Sequence, residues 1–180
     1  MKLNPHAPLR RALPMLCAAT CSTEVEPEAL DHSVKASYLY NLLRFIAWPE
    51  DGTGAKGPLR LCICGGPTLD AFYALHGERA HGRAIFVRRI REVAPAWLEK
   101  CGILVLSADK PLVSVPVARG LLTVGEAEGF TARGGIINLM LMNGRVRLEL
   151  NEDLAELCGF RLDPRLSKLR MPGWYPTVVR

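Results

Sequence analysis

Gly102-Ile103-Leu104-Val105-Leu106 is a continuous apolar run of strand length, set between Cys101 and Ser107. A strand that is apolar at every position has no face to offer water, so it belongs at the centre of a sheet covered on both sides. Three neighbours also read as strands. Upstream, Leu59-Arg60-Leu61-Cys62-Ile63-Cys64 alternates and stops at Gly65-Gly66-Pro67. Ala84 to Ile90 carries Ile85, Val87 and Arg89 on one face and Phe86, Arg88 and Ile90 on the other. Downstream, Leu121-Leu122-Thr123-Val124 follows a Pro-punctuated connection. Helical spacing fills two of the gaps, over Thr68 to His76 (Leu69, Phe72, Leu75) and around Pro95 to Lys100. Strands alternating with helical segments predict βαβ units and a mostly parallel sheet.

The two ends complete the pattern. Val34, Tyr38, Leu42, Phe45 and Ile46 recur at three and four residues, which predicts an amphipathic helix from His32 to Trp48. Asp31 or Ser33 would cap its start and Pro49 would end it. Ile136 to Met142, Asn143-Gly144 and Arg145 to Leu150 read as a β-hairpin, because Asn-Gly supplies the positive φ angles of a type I′ turn. Asn151-Glu152-Asp153 starts a helix running to Cys158, with Gly159 at its end, and Asp163-Pro164 starts a last one through Leu169. The expected fold class is therefore α/β. It is a single-domain three-layer sandwich, with a mostly parallel central sheet, helices on both faces and an antiparallel C-terminal hairpin. The domain spans 32–170, and residues 171–180, with Pro172-Gly173-Trp174-Tyr175-Pro176, form a loose tail.

The 180-residue chain is 49% hydrophobic and 23% charged, which excludes disorder, and no run of eighteen apolar residues spans a membrane. Its net charge of +5 invites an acidic partner until the charges are located. Residues 1–23 hold Lys2, Arg10 and Arg11 and no acid, followed by the apolar stretch around Ala12-Leu13-Pro14-Met15-Leu16. That is the order of a secretory signal peptide, and a disordered leader is the other reading. Without it the charge excess falls from five to two, and nucleic acid is not expected as a partner. Val87-Arg88-Arg89-Ile90-Arg91 is the basic cluster that remains, and Glu92 follows it at once, as on a solvated strand edge.

Cys17 and Cys21 lie in the leader, leaving Cys62, Cys64, Cys101 and Cys158. Export would place these in an oxidising space. The cysteines and His6, His32, His76 and His81 lack the paired spacing of a zinc site, so no metal is expected. Residues two apart on an extended strand are poorly placed to bridge each other, and Cys101, before the next core strand, is the natural mate. The opposing reading makes Cys62 and Cys64 a redox pair in a small exported α/β enzyme, a thiol-dependent oxidoreductase. Gly65-Gly66-Pro67-Thr68 and Gly134-Gly135 could cradle an anion, but without a fuller fingerprint they read as tight structural turns. With no nucleophile elbow, P-loop or paired carboxylates, catalysis and cofactors are not expected.

Val34-Lys35-Ala36-Ser37-Tyr38-Leu39-Tyr40-Asn41-Leu42-Leu43-Arg44-Phe45-Ile46-Ala47-Trp48-Pro49 resembles the opening helix of the YfiR-like family. Further blocks agree in order: Leu59-Arg60-Leu61-Cys62, then Leu122-Thr123-Val124-Gly125 with Gly129-Phe130, then Gly134-Gly135-Ile136-Ile137-Asn138. Arg145 to Asn151 and Leu166-Ser167-Lys168-Leu169 follow, so the likeness covers residues 34–170. The resemblance implies a non-catalytic periplasmic regulator in cyclic di-GMP signalling and biofilm control. Such a protein represses a membrane-bound diguanylate cyclase by binding its periplasmic sensory region, or acts on another sensor, and an outer-membrane lipoprotein sequesters it. A homodimer is a further possibility. The family's bridge maps onto Cys62 and Cys101. Cys64 then either pairs with Cys158, or both stay free, or Cys64 displaces Cys62. Tyr38, Phe45 and Trp48 carry core spacing, which leaves Tyr40, Trp174 and Tyr175 as the candidate partner contacts. Asn138, Glu149 and Asn151 read as capping residues of the hairpin and the helix after it.

Overall fold

In the computed structural model, the described residues are 27–52, 55–109, 114–142, 145–166 and 175–179. The leader, the Asn143-Gly144 turn and Trp174 lie outside them. The apolar runs become strands β2 (Leu59–Cys64), β4 (Arg83–Ile90), β5 (Ile103–Leu106), β6 (Leu122–Gly125), β7 (Ile137–Met142) and β8 (Arg145–Asn151). Short strands β1 (Ile46–Ala47), β3 (Arg79–Ala80) and β9 (Arg161–Leu162) were not anticipated, and β10 (Tyr175–Val179) replaces part of the expected tail. The main sheet has the order β10-β8-β7-β6-β5-β2-β4-β3. Strands β4, β2, β5, β6 and β7 run parallel, and β8 returns antiparallel with Met142 opposite Arg145. β10 adds in parallel beside β8, with Tyr175 opposite Arg147.

The chain steps from β2 outward to β4, then crosses back past β2 to lay down β5, β6 and β7. This is the strand order of doubly wound sheets, in which right-handed crossovers send outward and returning connections to opposite faces. The 3-10 helix Pro67–Leu75, which leads to β4, packs on the same face as helix α1 (Pro27–Leu43) and helix α3 (Glu152–Leu157). Ala36, Leu39, Leu43, Leu69, Phe72 and Ala155 there bury against Leu61, Ile63, Val105 and Leu122 of the sheet.

On the other face the described residues show only short elements where a layer of helices was expected. That face receives α2 (Pro95–Leu98), the connection from Ser114 to Leu121 and the three-residue 3-10 turn Thr131–Arg133. Pro116 punctuates the longest of these connections, and each proline removes a backbone donor, so no full helix forms there. The cover is a thin apolar cluster of Cys62, Cys64, Cys101, Leu104, Leu106 and Phe130.

α1 differs from its expected bounds at both ends. It begins at Pro27, ahead of Asp31 and Ser33, and stops at Leu43, after which Ile46 and Ala47 pair antiparallel with Leu162 and Arg161. Its buried face is Ala36-Leu39-Leu42-Leu43, while Val34 and Tyr38 are only partly buried. Its last carbonyls are held from outside. His81 occupies a left-handed conformation (φ +51°) between β3 and β4, and its Nε2 lies 2.6 Å from the Leu43 carbonyl oxygen. A carbonyl only accepts, so that ring nitrogen carries the proton. At the other end of the chain α3 follows expectation: Asn151 accepts from the Leu154 amide at 3.0 Å and caps it. The last helix, expected through Leu169, is described only to a turn at Leu166.

Candidate functional site

Alternation on β2 and β4 decides what the thin face carries. Leu59, Leu61 and Ile63 point into the helical side, so Arg60, Cys62 and Cys64 point the other way. Register sets Arg60 opposite Phe86 and Cys62 opposite Arg88. Cys62 is joined to Cys101, whose Cα lies 5.9 Å away, and the bond ties β2 to the segment that leads into β5. Beside it α2 offers Trp97. The Arg88 guanidinium carbon stands 4.4 Å from the Trp97 ring centroid and Lys100 Nζ 5.9 Å from the same ring, both within cation–π reach. Arg60, Cys62, Phe86, Arg88, Trp97 and Lys100 line a groove of about 630 Å³. Phe86 is 50% exposed there and meets His76 edge-on at 5.4 Å. An adjoining hollow of about 410 Å³ is mixed in sign, with Glu50, Asp51 and Glu99 beside Lys56.

A second polar cluster lies at the carboxyl ends of the parallel strands, where doubly wound sheets bind ligands. Here it is closed on itself. Lys35 from α1 donates to Glu126 at 2.8 Å, and Ser107 donates to the other Glu126 oxygen at 3.1 Å. The Lys35 and Glu126 side chains are only 10% and 8% exposed. Asn138 donates to Ala127 O at 2.8 Å and to Glu149 at 3.1 Å, bracing the hairpin. Asn138 Oδ1 is buried there with no hydrogen-bond partner among the described residues.

The other residues that the sequence brought forward fall into place around these. Arg89 donates to the carbonyls of Gly65 (2.5 Å) and Gly66 (2.9 Å) and pairs with Asp70, so the basic run of β4 divides: Arg89 supports the turn and Arg88 faces the groove. At Gly65 (φ +155°) a Cβ would stand 2.3 Å from Ser107 Cβ, so close packing rather than anion binding explains that glycine. At Gly135 a Cβ would come within 2.1 Å of the Phe130 ring, and at Gly125 within 2.3 Å. Phe130 therefore nests between two glycines, which ties together two of the blocks quoted above. Tyr40 is half-buried, and its hydroxyl donates to the Arg79 carbonyl at 3.3 Å, which ties α1 to β3. Tyr175 lies in β10.

The thiols divide between the two faces. Cys64 packs with the disulfide and Cys158 with the helical side, so a Cys64–Cys158 bond would have to pass through the sheet. Both of these thiols are buried, and burial pushes Cys158 up from its ordinary value against a hydrogen bond with the Ala118 backbone. The Cys62/Cys64 redox pair is likewise displaced, because Cys62 is bonded to Cys101. Among the described residues no cluster of His, Cys, Asp and Glu is placed to hold a metal ion, and no helix is long and apolar enough to cross a membrane.

A chain of this length and order can be compared with known families block by block. The YfiR/HmsC-like family model matches residues 32–170. The chain belongs to the YfiR/HmsC-like family. The match takes in α1 from residue 32 onward, every strand from β1 to β9, and the Cys62–Cys101 bridge. No curated protein matches it. In this YfiR/HmsC-like domain Phe86 and Arg88 face outward from β4, although a strand within a parallel sheet is usually apolar on both faces, and the sequence pattern alone reads only as a solvated strand edge. Trp97 went unnoticed because it lies on a single-turn helix with no periodicity of its own.

Proposed function

We propose that this protein is an exported, non-catalytic regulator that binds the periplasmic sensory region of a membrane-bound diguanylate cyclase and holds cyclic di-GMP synthesis down. The observation that carries the reading is the family match over residues 32–170. The YfiR-like family is regulatory and periplasmic in kind. The basic, acid-free first 23 residues support export, and a disulfide that ties two core strands suits an oxidising compartment. A thiol-dependent oxidoreductase fits less well, because Cys62, Cys64 and Cys101 are 3%, 3% and 0% exposed and a reactive thiol needs access.

Co-purification with the periplasmic region of the diguanylate cyclase encoded nearest its gene tests the reading. The expected result is a stable complex, together with raised cyclic di-GMP in cells that lack the protein. Absence of the complex with an unchanged nucleotide level overturns it.

A further inference from the structure

We infer that the groove over the Cys62–Cys101 bridge docks an acidic segment of a protein partner, with its carboxylates on Arg60, Arg88 and Lys100 and an apolar side chain against Phe86 and Trp97. The inference rests on the regulatory-binding reading above and names the surface and the partner chemistry.

The charge pattern carries it. Arg88 and Lys100 share one aromatic ring, and Arg60 lines the same groove. All three are exposed, and among the described residues none of them makes an ion pair. Several other described cations are paired with acids: Lys35 with Glu126, Arg89 with Asp70, Arg119 with Asp51, Arg147 with Glu149 and Arg165 with Asp163. Among the described residues no acid lines this groove, and the carboxylates of Glu50, Asp51 and Glu99 belong to the adjoining hollow that Arg60 and Lys100 also border. Like charges gathered over a low-dielectric wall raise the local potential, and carboxylates lower it. The ring of Trp97 already orders the Arg88 side chain, so less freedom is lost when a carboxylate arrives.

The shape points the same way. Its roughly 630 Å³ is open at Phe86, where a half-exposed ring offers an apolar contact at one end of the basic patch. An anchor of this kind beside satisfied charges is the usual make-up of a protein interface. The floor is rigid, because Cys62 is covalently joined to Cys101.

Two synthetic peptides test this with the full-length oxidised protein. One alternates Asp and Glu with Phe and Leu, and the other has Lys at every acidic position. Titration is followed by the indole N–H resonances of 15N-labelled protein. The acidic peptide should shift the Trp97 signal and the basic one should leave it unmoved. Arg88→Glu with Lys100→Glu should weaken binding at least about tenfold, because like-charge contacts in an interface cost several kcal/mol. Arg44→Glu, on the exposed end of α1, should leave it unchanged. Equal binding of both peptides, or unchanged binding by a charge-reversed variant that melts with the wild type, overturns the inference. So does full displacement of the peptide by inorganic phosphate, which would make the groove a small-anion site. Binding to phosphatidylglycerol vesicles in place of the peptide overturns it too. If the cyclase region binds wild type and charge-reversed protein equally, the groove assignment fails and the regulatory reading stands. If the peptide behaves as expected and no cyclase region binds, the regulatory reading fails alone.

Discussion

The two faces of the central sheet are closed by different means. On one, α1, α3 and the 3-10 helix Pro67–Leu75 bring Leu39, Leu43, Leu69 and Phe72 onto the strands, and apolar burial does the work. On the other, connections that form only short helical turns among the described residues leave a small cluster around a disulfide and a phenylalanine set between two glycines. Where helices arrive, the sheet needs no covalent aid. Where they do not, a bond fixes the strands and the uncovered end becomes a surface that a partner can reach.

The sharpest test sets one aromatic residue from each face against the other. Phe72→Ala should cost about 3–5 kcal/mol in urea denaturation, as large-to-small changes in close-packed cores do. Phe86→Ala, at 50% exposure, should stay within about 0.5 kcal/mol. Similar losses at both positions would break the comparison. Next in size is the staple. Cys101→Ala should cost about 2–4 kcal/mol, and reductant should cost the wild type the same. An unchanged melting temperature in both cases would mean that the thin face holds without its bond. Gly135→Ala drives a methyl into the Phe130 ring and should cost about 1–3 kcal/mol, which tests whether the covered half of that face is close-packed.

The smallest effect belongs to the turn that ends the helical side. The Arg165 guanidinium, hydrogen-bonded to Asp163, lowers that carboxyl to about 2. A carboxyl lowered by folding stabilises the native state fully above its ordinary value of 3.8, and the contribution is lost as pH falls through about 2. Arg165→Ala should return the Asp163 titration, followed by carboxyl NMR, toward the ordinary range. A titration that stays near 2 would assign the shift to something other than Arg165.

Much of this architecture was legible because it rests on local patterns. Gly102 to Leu106 is apolar throughout and lies at the centre of the sheet, and the hairpin pairs Met142 with Arg145, as Asn143-Gly144 between them predicts. The failures are non-local. The periodicity through Phe45 and Ile46 continues α1 on paper, yet Ile46 leaves to pair with Leu162, more than a hundred residues away. The expectation of helices on both faces followed from the crossover rule, which fixes the side a connection takes and not whether it becomes helical. Pro116 carried that second piece of information. Strand geometry pointed to Cys101 as one end of the bridge, and the family resemblance placed the other at Cys62 rather than Cys64. The groove was not legible, because Arg88 and Trp97 meet across a loop and no spacing rule joins them.

His81 has a consequence for which substitutions the chain can tolerate. Its backbone sits at φ +51°, where glycine or asparagine is most at ease, while its ring spans the gap to the Leu43 carbonyl and lies 5.9 Å from Trp48. Glycine would relax the turn and leave the helix end open, and asparagine would suit the turn with a side chain too short for the reach. A longer or branched residue would strain the backbone. Two local demands that ordinarily select different amino acids thus converge on one position, and they make it less replaceable than its exposed place on a hairpin suggests.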